Sequence, residues 1–309
     1  MGIGVNEWLA WLAATPRVGL GTAQLGLPYG VANRSGMPSE ESARALLRCA
    51  WENGIGFYDT ARAYGQSEER LGRFFRSFAA EAPVRIVSKL SGRTDEGRDG
   101  LEQIRDSRDR LGRPLWGMLL HDEKDLADWT SRWKAVFAQA RDEGLIRHAG
   151  VSVYSVDAAL RALELDGLDL IQVPGSLFDR RMLRAGLFGK AREARKAIFV
   201  RSVYLQGLVG QSATALPAGM DFAREALGAL DGFCESNGMA PRQLGLAYAA
   251  RRFESALPVL GAETETQVGD NLRTWQASQS VPDDVLAAWD ERWPRDEMPL
   301  IDPRTWGAT

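Results

Sequence analysis

Four side chains in this chain could move a proton onto an oxygen: Asp59, Tyr64, Lys89 and His121. Ile55-Gly-Phe-Tyr leads into Asp59, and Tyr64 follows in the next loop. Val84-Arg-Ile-Val-Ser leads into Lys89, and Trp116-Gly-Met-Leu-Leu leads into His121. A free phenol has a pKa of about 10 and donates reluctantly near neutral pH. A neighbouring ammonium stabilises the phenolate and makes the phenol a better acid. Asp59 would hold Lys89 charged and in place, and His121 would orient a carbonyl by a hydrogen bond. Such a set can protonate a carbonyl oxygen while a hydride arrives from a cofactor. Taken singly, a lysine after a strand is usually a solvated end and a lone histidine is usually structural. Three successive strands that each end in a fitting group are far more informative. His148 has no such setting and reads as structural.

The elements that position these groups alternate between short apolar runs and amphipathic helices. The strand candidates are Arg17–Gly21, Ile55–Asp59, Val84–Leu90, Trp116–His121, Arg147–Val153, Leu168–Val173, Ala197–Val203 and Ala256–Gly261. Helical patterns fill most gaps, including Lys124–Asp142, Val156–Leu165, Phe222–Glu235 and Pro241–Arg252. Ser39 reads as an N-cap, with Glu40 and Glu41 in the first turn where negative charge suits the helix dipole. Ala43, Leu46, Leu47, Ala50 and Trp51 recur on one face, and Asn53-Gly54 stops that helix. Ser67 reads as the cap of the next helix, with Leu71, Phe74, Phe75 and Phe78 inward. Eight strand–helix units favour an α/β fold of the (β/α)8 barrel type over an open doubly wound sheet. The open sheet would want a Gly-rich dinucleotide turn after its first strand, and Gly19-Leu-Gly-Thr-Ala-Gln lacks that spacing. In a barrel the C-terminal strand ends share one face, which holds the active site.

The 309 residues suffice for one barrel of roughly 250 residues with extensions. We expect a single domain over residues 1–309, with a core of about 17–280 and a non-helical tail at 294–309. The composition is 45% hydrophobic, with 38 basic and 41 acidic residues interspersed, for a formal charge of −3. That balance argues against nucleic-acid and anionic-membrane partners, which need a concentrated positive field. Cys49 and Cys234 cannot build a disulfide framework and read as reduced core residues. The stretch around Trp8, Leu9, Trp11 and Leu12 is too short to span a membrane and reads as a packed N-terminal helix of a cytoplasmic protein.

With these residues in place, the chain resembles the aldo-keto reductase family over roughly Arg17 to Leu272. The resemblance rests on Gly21-Thr22, Asp59-Thr-Ala-Arg-Ala-Tyr64-Gly65, Ser88-Lys89, Leu120-His121-Asp122, Gly150-Val-Ser152, Ile171-Gln172 and Gly261 to Asn271. The family's catalytic tetrad falls on Asp59, Tyr64, Lys89 and His121. The stretch Gly21-Thr-Ala-Gln-Leu-Gly-Leu-Pro-Tyr-Gly looks like a bacterial branch associated with sugar and polysaccharide genes. The resemblance implies an NAD(P)-dependent oxidoreductase that interconverts a carbonyl and an alcohol.

It also implies a cofactor site. Gly21, Thr22 and Asp59 would line it, and Ser152 and Gln172 would hydrogen-bond the nicotinamide carboxamide. The family usually follows that serine with asparagine, where this chain has Val153. The segment Arg201, Ser202, Val203, Tyr204, Leu205, Gln206 and Gly207 matches the loop that wraps the pyrophosphate. The family usually places an aromatic residue under the nicotinamide where this chain has Arg201, so either the guanidinium plane or another residue stacks there. Gly261, Glu263, Thr264, Gln267, Asp270 and Asn271 would complete the site at a helix start. Thr264 and Gln267 read as a capping box, and free N–H groups there suit phosphate. The resemblance implies NADPH. A carboxylate at Glu263 would repel a 2′-phosphate, so weakened NADP preference, dual use or NADH is the expectation from Glu263 and Gln267.

Substrate candidates are Gln24, Leu27, Tyr29, Asn33, Trp129 and Trp306, beside Tyr64 and His121. Gln24, Tyr29 and Asn33 suit a sugar or hydroxylated carbonyl, although the loop from Gln24 to Pro38 could pack on itself and Trp129 suits a helix core. The tail after Pro294 is expected to matter for substrate binding more than for stability. A non-enzymatic nicotinamide-binding subunit that reports redox state is the competing reading. A metal-dependent hydrolase or lyase would need more ligands than two histidines allow. The protein is expected to act as a monomer or homo-oligomer.

Overall fold

Eight parallel strands close into a barrel in sequence order, β1 pairing with both β2 and β8. They are β1 (Gly19–Gly21), β2 (Phe57–Asp59), β3 (Arg85–Leu90), β4 (Leu115–Leu120), β5 (Ile146–Ser152), β6 (Leu170–Pro174), β7 (Ala197–Arg201) and β8 (Ala256–Gly261). The computed structural model describes residues 8, 11, 18–33, 36–78, 83–91, 99–216 and 218–306. Arg17, Leu9 and Leu12 lie outside the described residues.

The helices are α1 (Glu40–Glu52), α2 (Ser67–Phe78), α3 (Gly100–Leu111), α4 (Lys134–Asp142), α5 (Val156–Glu164), α6 (Arg181–Arg184), α7 (Leu187–Glu193), α8 (Arg224–Ser236), α9 (Pro241–Arg252), α10 (Glu265–Ser278), α11 (Asp283–Arg292) and α12 (Met298–Ile301). Strand residues are buried on both faces because the helices cover the outside of an all-parallel barrel. Phe57, Val87, Leu119, Leu170, Phe199, Leu257 and Val259 fill the interior. Trp8 is helical and joins that cluster, stacked on Trp11 and Trp116 at ring centroid distances of 5.3 and 5.8 Å.

The strand register sets the rim. Gly21 lies opposite Asp59 and also opposite Gly261. Ser152 lies opposite Gln172, and Lys89 opposite Leu119. Residues from distant stretches of sequence therefore arrive level at the C-terminal mouth.

Several local expectations change. Lys124–Asp142 is not one helix: a 3-10 turn (Glu123–Asp128) and a π turn (Trp129–Trp133) precede α4. The wider π turn lets both indoles face inward, and both are buried. Phe78 is 38% exposed because it sits in the last turn of α2, past the inner face. Cys49 is only half-buried, while Cys234 is buried as expected. Ser67 begins α2 but does not cap it: its hydroxyl reaches the Thr22 carbonyl and hydroxyl at 2.9 and 2.8 Å. The tail contains α12 and a 3-10 turn (Pro303–Thr305), with Leu300, Ile301 and Trp306 buried. Apolar side chains with core to cover draw the tail into structure.

Candidate active site

Asp59 ends β2, and Lys89 stands one residue before the end of β3. The Lys89 ammonium donates to both Asp59 carboxylate oxygens at 2.8 Å and to the Thr60 carbonyl at 2.9 Å. It lies 3.4 Å from the Tyr64 hydroxyl and only 1% of Lys89 is exposed. A buried ammonium is tolerated here because each of its three protons has an acceptor. Burial lowers the Lys89 pKa, and the Asp59 carboxylate opposes that fall.

Tyr64 is held from behind. Gly26, in the loop after β1, has no room for a Cβ: one would lie 1.8 Å from the Tyr64 carbonyl oxygen. Gly65 adopts φ +51°, and its own Cβ would meet the Gly26 oxygen at 2.4 Å. Two backbones in direct contact thus fix the loop that carries the phenol. Behind them, Thr60 donates to Ser67 at 2.9 Å, and Thr22 donates to the Asp59 carbonyl at 2.8 Å. These hydroxyls tie the ends of β1, β2 and α2 together.

His121 follows β4, its ring centroid 5.9 Å from that of Tyr64 and nearly perpendicular to it. Burial pushes the His121 pKa down to about 4, with Lys89 and Arg201 acting in the same direction. Its imidazole is therefore neutral near pH 7. Tyr64 is pushed the other way: burial and the Asp59 charge raise its pKa, and Arg201 opposes them. The lowering of the Tyr64 pKa expected from Lys89 does not prevail in this arrangement, because burial and then the Asp59 carboxylate disfavour a phenolate.

A cleft of about 360 Å³ opens beside these groups at the barrel mouth. Gly21, Thr22, Gln24, Tyr29, Asp59, Tyr64, Arg201, Ser202, Tyr204, Gln206, Gly207, Gly261, Glu263 and Gln267 are among the residues that line it. Gly261 packs closely on Gln24 there: a Cβ would meet its side-chain amide at 2.3 Å, and Gln24 would have to move. After β7 the chain turns through positive φ at Ser202, Leu205, Gln206 and Gly207. Such left-handed backbone on non-glycine residues is strained and typical of ligand-binding turns.

Other expected residues sit elsewhere. Gln172 donates to Asp59 at 2.8 Å, with the Ser152 hydroxyl 3.3 Å from its carbonyl oxygen. Both are buried, Gln172 engaged with Asp59 and Ser152 with Gln172. The Leu205 side chain is in the core. Thr264 caps α10 through the Gln267 N–H at 3.2 Å, but Gln267 accepts from the Glu263 N–H at 2.7 Å rather than from Thr264. The capping box is therefore shifted by one residue on one side. Asp270 pairs with Arg273, and Asn271 bonds the Gly261 carbonyl at 3.1 Å. Leu27 is half-buried outside the cleft lining. Asn33 bonds the Tyr29 carbonyl at 3.3 Å and the Gly36 N–H at 2.8 Å, so its loop packs on itself. Trp129 donates to the Asp166 carbonyl at 3.1 Å and belongs to the helix layer. Trp306 packs at 5.8 Å against Phe222 and donates to the Pro299 carbonyl.

Two neighbours escaped the sequence reading. Arg242, at the second position of α9, lines the cleft. Its stem would touch a Cβ on Gly210 at 3.2 Å, its guanidinium lies 4.6 Å from the Tyr204 ring, and it donates to Asn271 at 2.5 Å. Tyr154, just past β5, stacks on Arg201 at 3.9 Å. Spacing gave no signal for either, because each meets its partners only across the barrel.

The match of residues 17–293 to the aldo/keto reductase family model decides the relationship. This chain belongs to the aldo/keto reductase family. It is 32% identical over 237 residues to a D-threo-aldose 1-dehydrogenase of a Pseudomonas species, covering 64% of this chain and 69% of that one. It is also 32% identical over 114 residues to 2,5-diketo-D-gluconic acid reductase B of a Corynebacterium strain, covering 36% and 40%. The holo form of aldo-keto reductase AKR11C1 from Bacillus halodurans superposes with a TM-score of 0.72 at 20% identity, over 94% of this chain and 95% of that one. That likeness speaks for the fold. This aldo/keto reductase is an oxidoreductase of a family that generally uses nicotinamide cofactors. Its cleft fits such a dinucleotide: it is edged by glycine-bearing backbone with positive φ and lined by the guanidinium-bearing Arg201 and Arg242. Among the described residues no three His, Cys, Asp or Glu side chains could hold a metal ion, and no helix is long and apolar enough to cross a membrane.

Proposed function

We propose that this aldo/keto reductase interconverts a carbonyl and an alcohol, with Tyr64 as the proton donor to the carbonyl oxygen. The observation that carries this reading is the buried Lys89 ammonium, fixed by both Asp59 oxygens and set against the Tyr64 hydroxyl. When bound, the nicotinamide supplies the hydride. Neutral His121 donates a hydrogen bond that orients the carbonyl, and Tyr64, kept protonated by its raised pKa, delivers the proton. Lys89 then faces a developing phenolate, where its charge stabilises more than in the resting site. Gln24 and Tyr29 give the substrate end polar and aromatic surface. Together with the similarity to an aldose dehydrogenase and a diketo-gluconic acid reductase, this favours an aldose or keto-sugar.

The test is turnover on an aldose and keto-sugar panel beside Tyr64→Phe, with nucleotide binding measured on both proteins. Turnover should fall about 10²- to 10⁴-fold while affinity holds. Unchanged turnover would remove Tyr64 from the role.

NADPH is the favoured cofactor on the strength of Arg242. Its guanidinium is bedded on Gly210, Tyr204 and Asn271 and has no carboxylate partner among the described residues. A prearranged cation in the same cleft as Glu263 and Gln267 suits the 2′-phosphate and offsets the repulsion expected from Glu263. Arg242→Met should weaken NADPH about tenfold or more and NADH little, a pairwise loss of roughly 1.4 kcal/mol. Equal losses for both nucleotides in calorimetry would assign Arg242 to another phosphate.

A further inference from the structure

Arg201 stands in the cleft where the resemblance implies an aromatic residue, and the structure shows what holds it. Its guanidinium carbon lies 3.9 Å from the centroid of the Tyr154 ring, and that of Arg304 lies 3.6 Å from the same centroid. Two guanidinium carbons that near one centroid would overlap on a single face, so the ring is sandwiched between them. Arg201 also donates to the Val153 carbonyl at 3.2 Å. Arg304 is matched by Asp302 at 2.6 Å, and the Tyr154 N–H is fixed by the Glu123 carboxylate at 2.7 Å. The C-terminal segment thus clamps Arg201 through an aromatic spacer.

The charges nearest the chemistry do not cancel. Asp59 and Lys89 form a closed pair, and His121 is neutral near pH 7. Among the described residues Arg201 has no carboxylate partner. Arg201 lines the cleft together with Asp59 and Tyr64, and its charge acts on Tyr64, His121 and Lys89, opposed at His121 by Asp122. A hydride donor must come within about 3–3.5 Å of that carbonyl. The ring that carries the hydride is therefore inside the field of Arg201. That ring is a cation when oxidised and neutral when reduced.

We propose that Arg201, clamped by Tyr154 and Arg304, biases the bound nicotinamide toward its reduced form. This rests on the carbonyl–alcohol reading above and adds a direction to it. A unit charge a few ångströms away in a partly buried site changes relative affinity by at least about tenfold. For a two-electron couple tenfold corresponds to a rise of about 30 mV in the bound potential. The bound cofactor is then a weaker hydride donor and a stronger acceptor, so the equilibrium on the protein leans toward oxidising the alcohol.

The experiment is the ratio of NADP+ to NADPH dissociation constants by calorimetry, without substrate. It is measured on the wild type, Arg201→Met, Arg201→Lys and Arg304→Ala, each checked by thermal melting. The wild type should bind NADPH the more tightly. Arg201→Met should shrink the ratio about tenfold, mainly through gained NADP+ affinity, and Arg201→Lys should keep most of it. Arg304→Ala changes a side chain that is half exposed and should shrink the ratio about threefold by releasing the clamp. That variant decides the matter should Arg201→Met fail to fold. Nucleotide binding with an unchanged ratio in Arg201→Met and Arg304→Ala overturns this inference alone. A wild type that binds neither nucleotide overturns the carbonyl–alcohol reading and this inference together.

Discussion

Burial sets the protonation states from which the site starts, and His121 makes that measurable. Its pKa is about 4 in the folded protein against an ordinary value of about 6.5. As pH falls, the unfolded chain takes up the proton first. Stability is therefore lost as pH drops from about 6.5 to about 4, and the contribution is flat above that window. Replacing His121 by Gln removes the titrating group. The wild type should lose about 2–3 kcal/mol more than His121→Gln between pH 7 and pH 4.5, at roughly 1.4 kcal/mol per pH unit. Urea denaturation at both pH values reads the difference. Parallel losses in the two proteins would show that the imidazole is hydrated and titrates normally. The same burial explains a second feature of the site. A Tyr64 that resists ionisation stays loaded with its proton, and the Lys89 charge matters most when a phenolate begins to form.

At the scale of elements, the turn after β1 and the turn after β2 act as one unit. Gly26 and Gly65 press backbone to backbone, and Tyr64 sits between them in sequence and space. A methyl group at position 26 must displace the Tyr64 peptide, because the clash is with backbone that cannot rotate away. Gly26→Ala should cost about 1–3 kcal/mol of stability and lower turnover by more than its effect on nucleotide affinity. Denaturation and steady-state kinetics on the same preparation check it, and full turnover would mean the loop relaxes without moving the phenol. This contact also shows where reading the sequence stops. The strands, the order of helices and the tetrad were legible, because apolar runs and the groups that end them are local in sequence. The Gly26–Gly65 contact, the Thr22–Thr60–Ser67 hydroxyl cluster and Arg242 on Asn271 were not. Each joins segments that meet only when the barrel closes. Gln172 shows the same limit from the other side. Its place opposite Ser152 followed from the strands, but its bond to Asp59 depends on side-chain direction inside the mouth.

Across the whole molecule the two mouths of the barrel carry different work. The C-terminal mouth holds the cleft, the group of Asp59, Tyr64, Lys89 and His121, and the clamp on Arg201. On the interior side Trp8 joins Phe57, Val87, Leu119 and Phe199, and its indole N–H bonds the Ser255 carbonyl just before β8 at 3.1 Å. Ser255 stands at the N-terminal end of its strand, so Trp8 closes the mouth opposite the cleft. Trp8 is only 5% exposed, and its ring touches aromatic neighbours on several strands. Truncating it leaves a cavity in the floor of the barrel, which the rigid strands cannot fill by collapse. Trp8→Ala should therefore cost about 3–5 kcal/mol. Nucleotide affinity at a temperature where both proteins are folded should change less than about threefold, since Trp8 is not among the residues that line the cleft. Thermal melting and calorimetric titration on one preparation separate the two effects. A large loss of affinity together with stability would mean that strain at the floor reaches the catalytic rim through the strands, and the barrel would then be a mechanical link rather than an inert support.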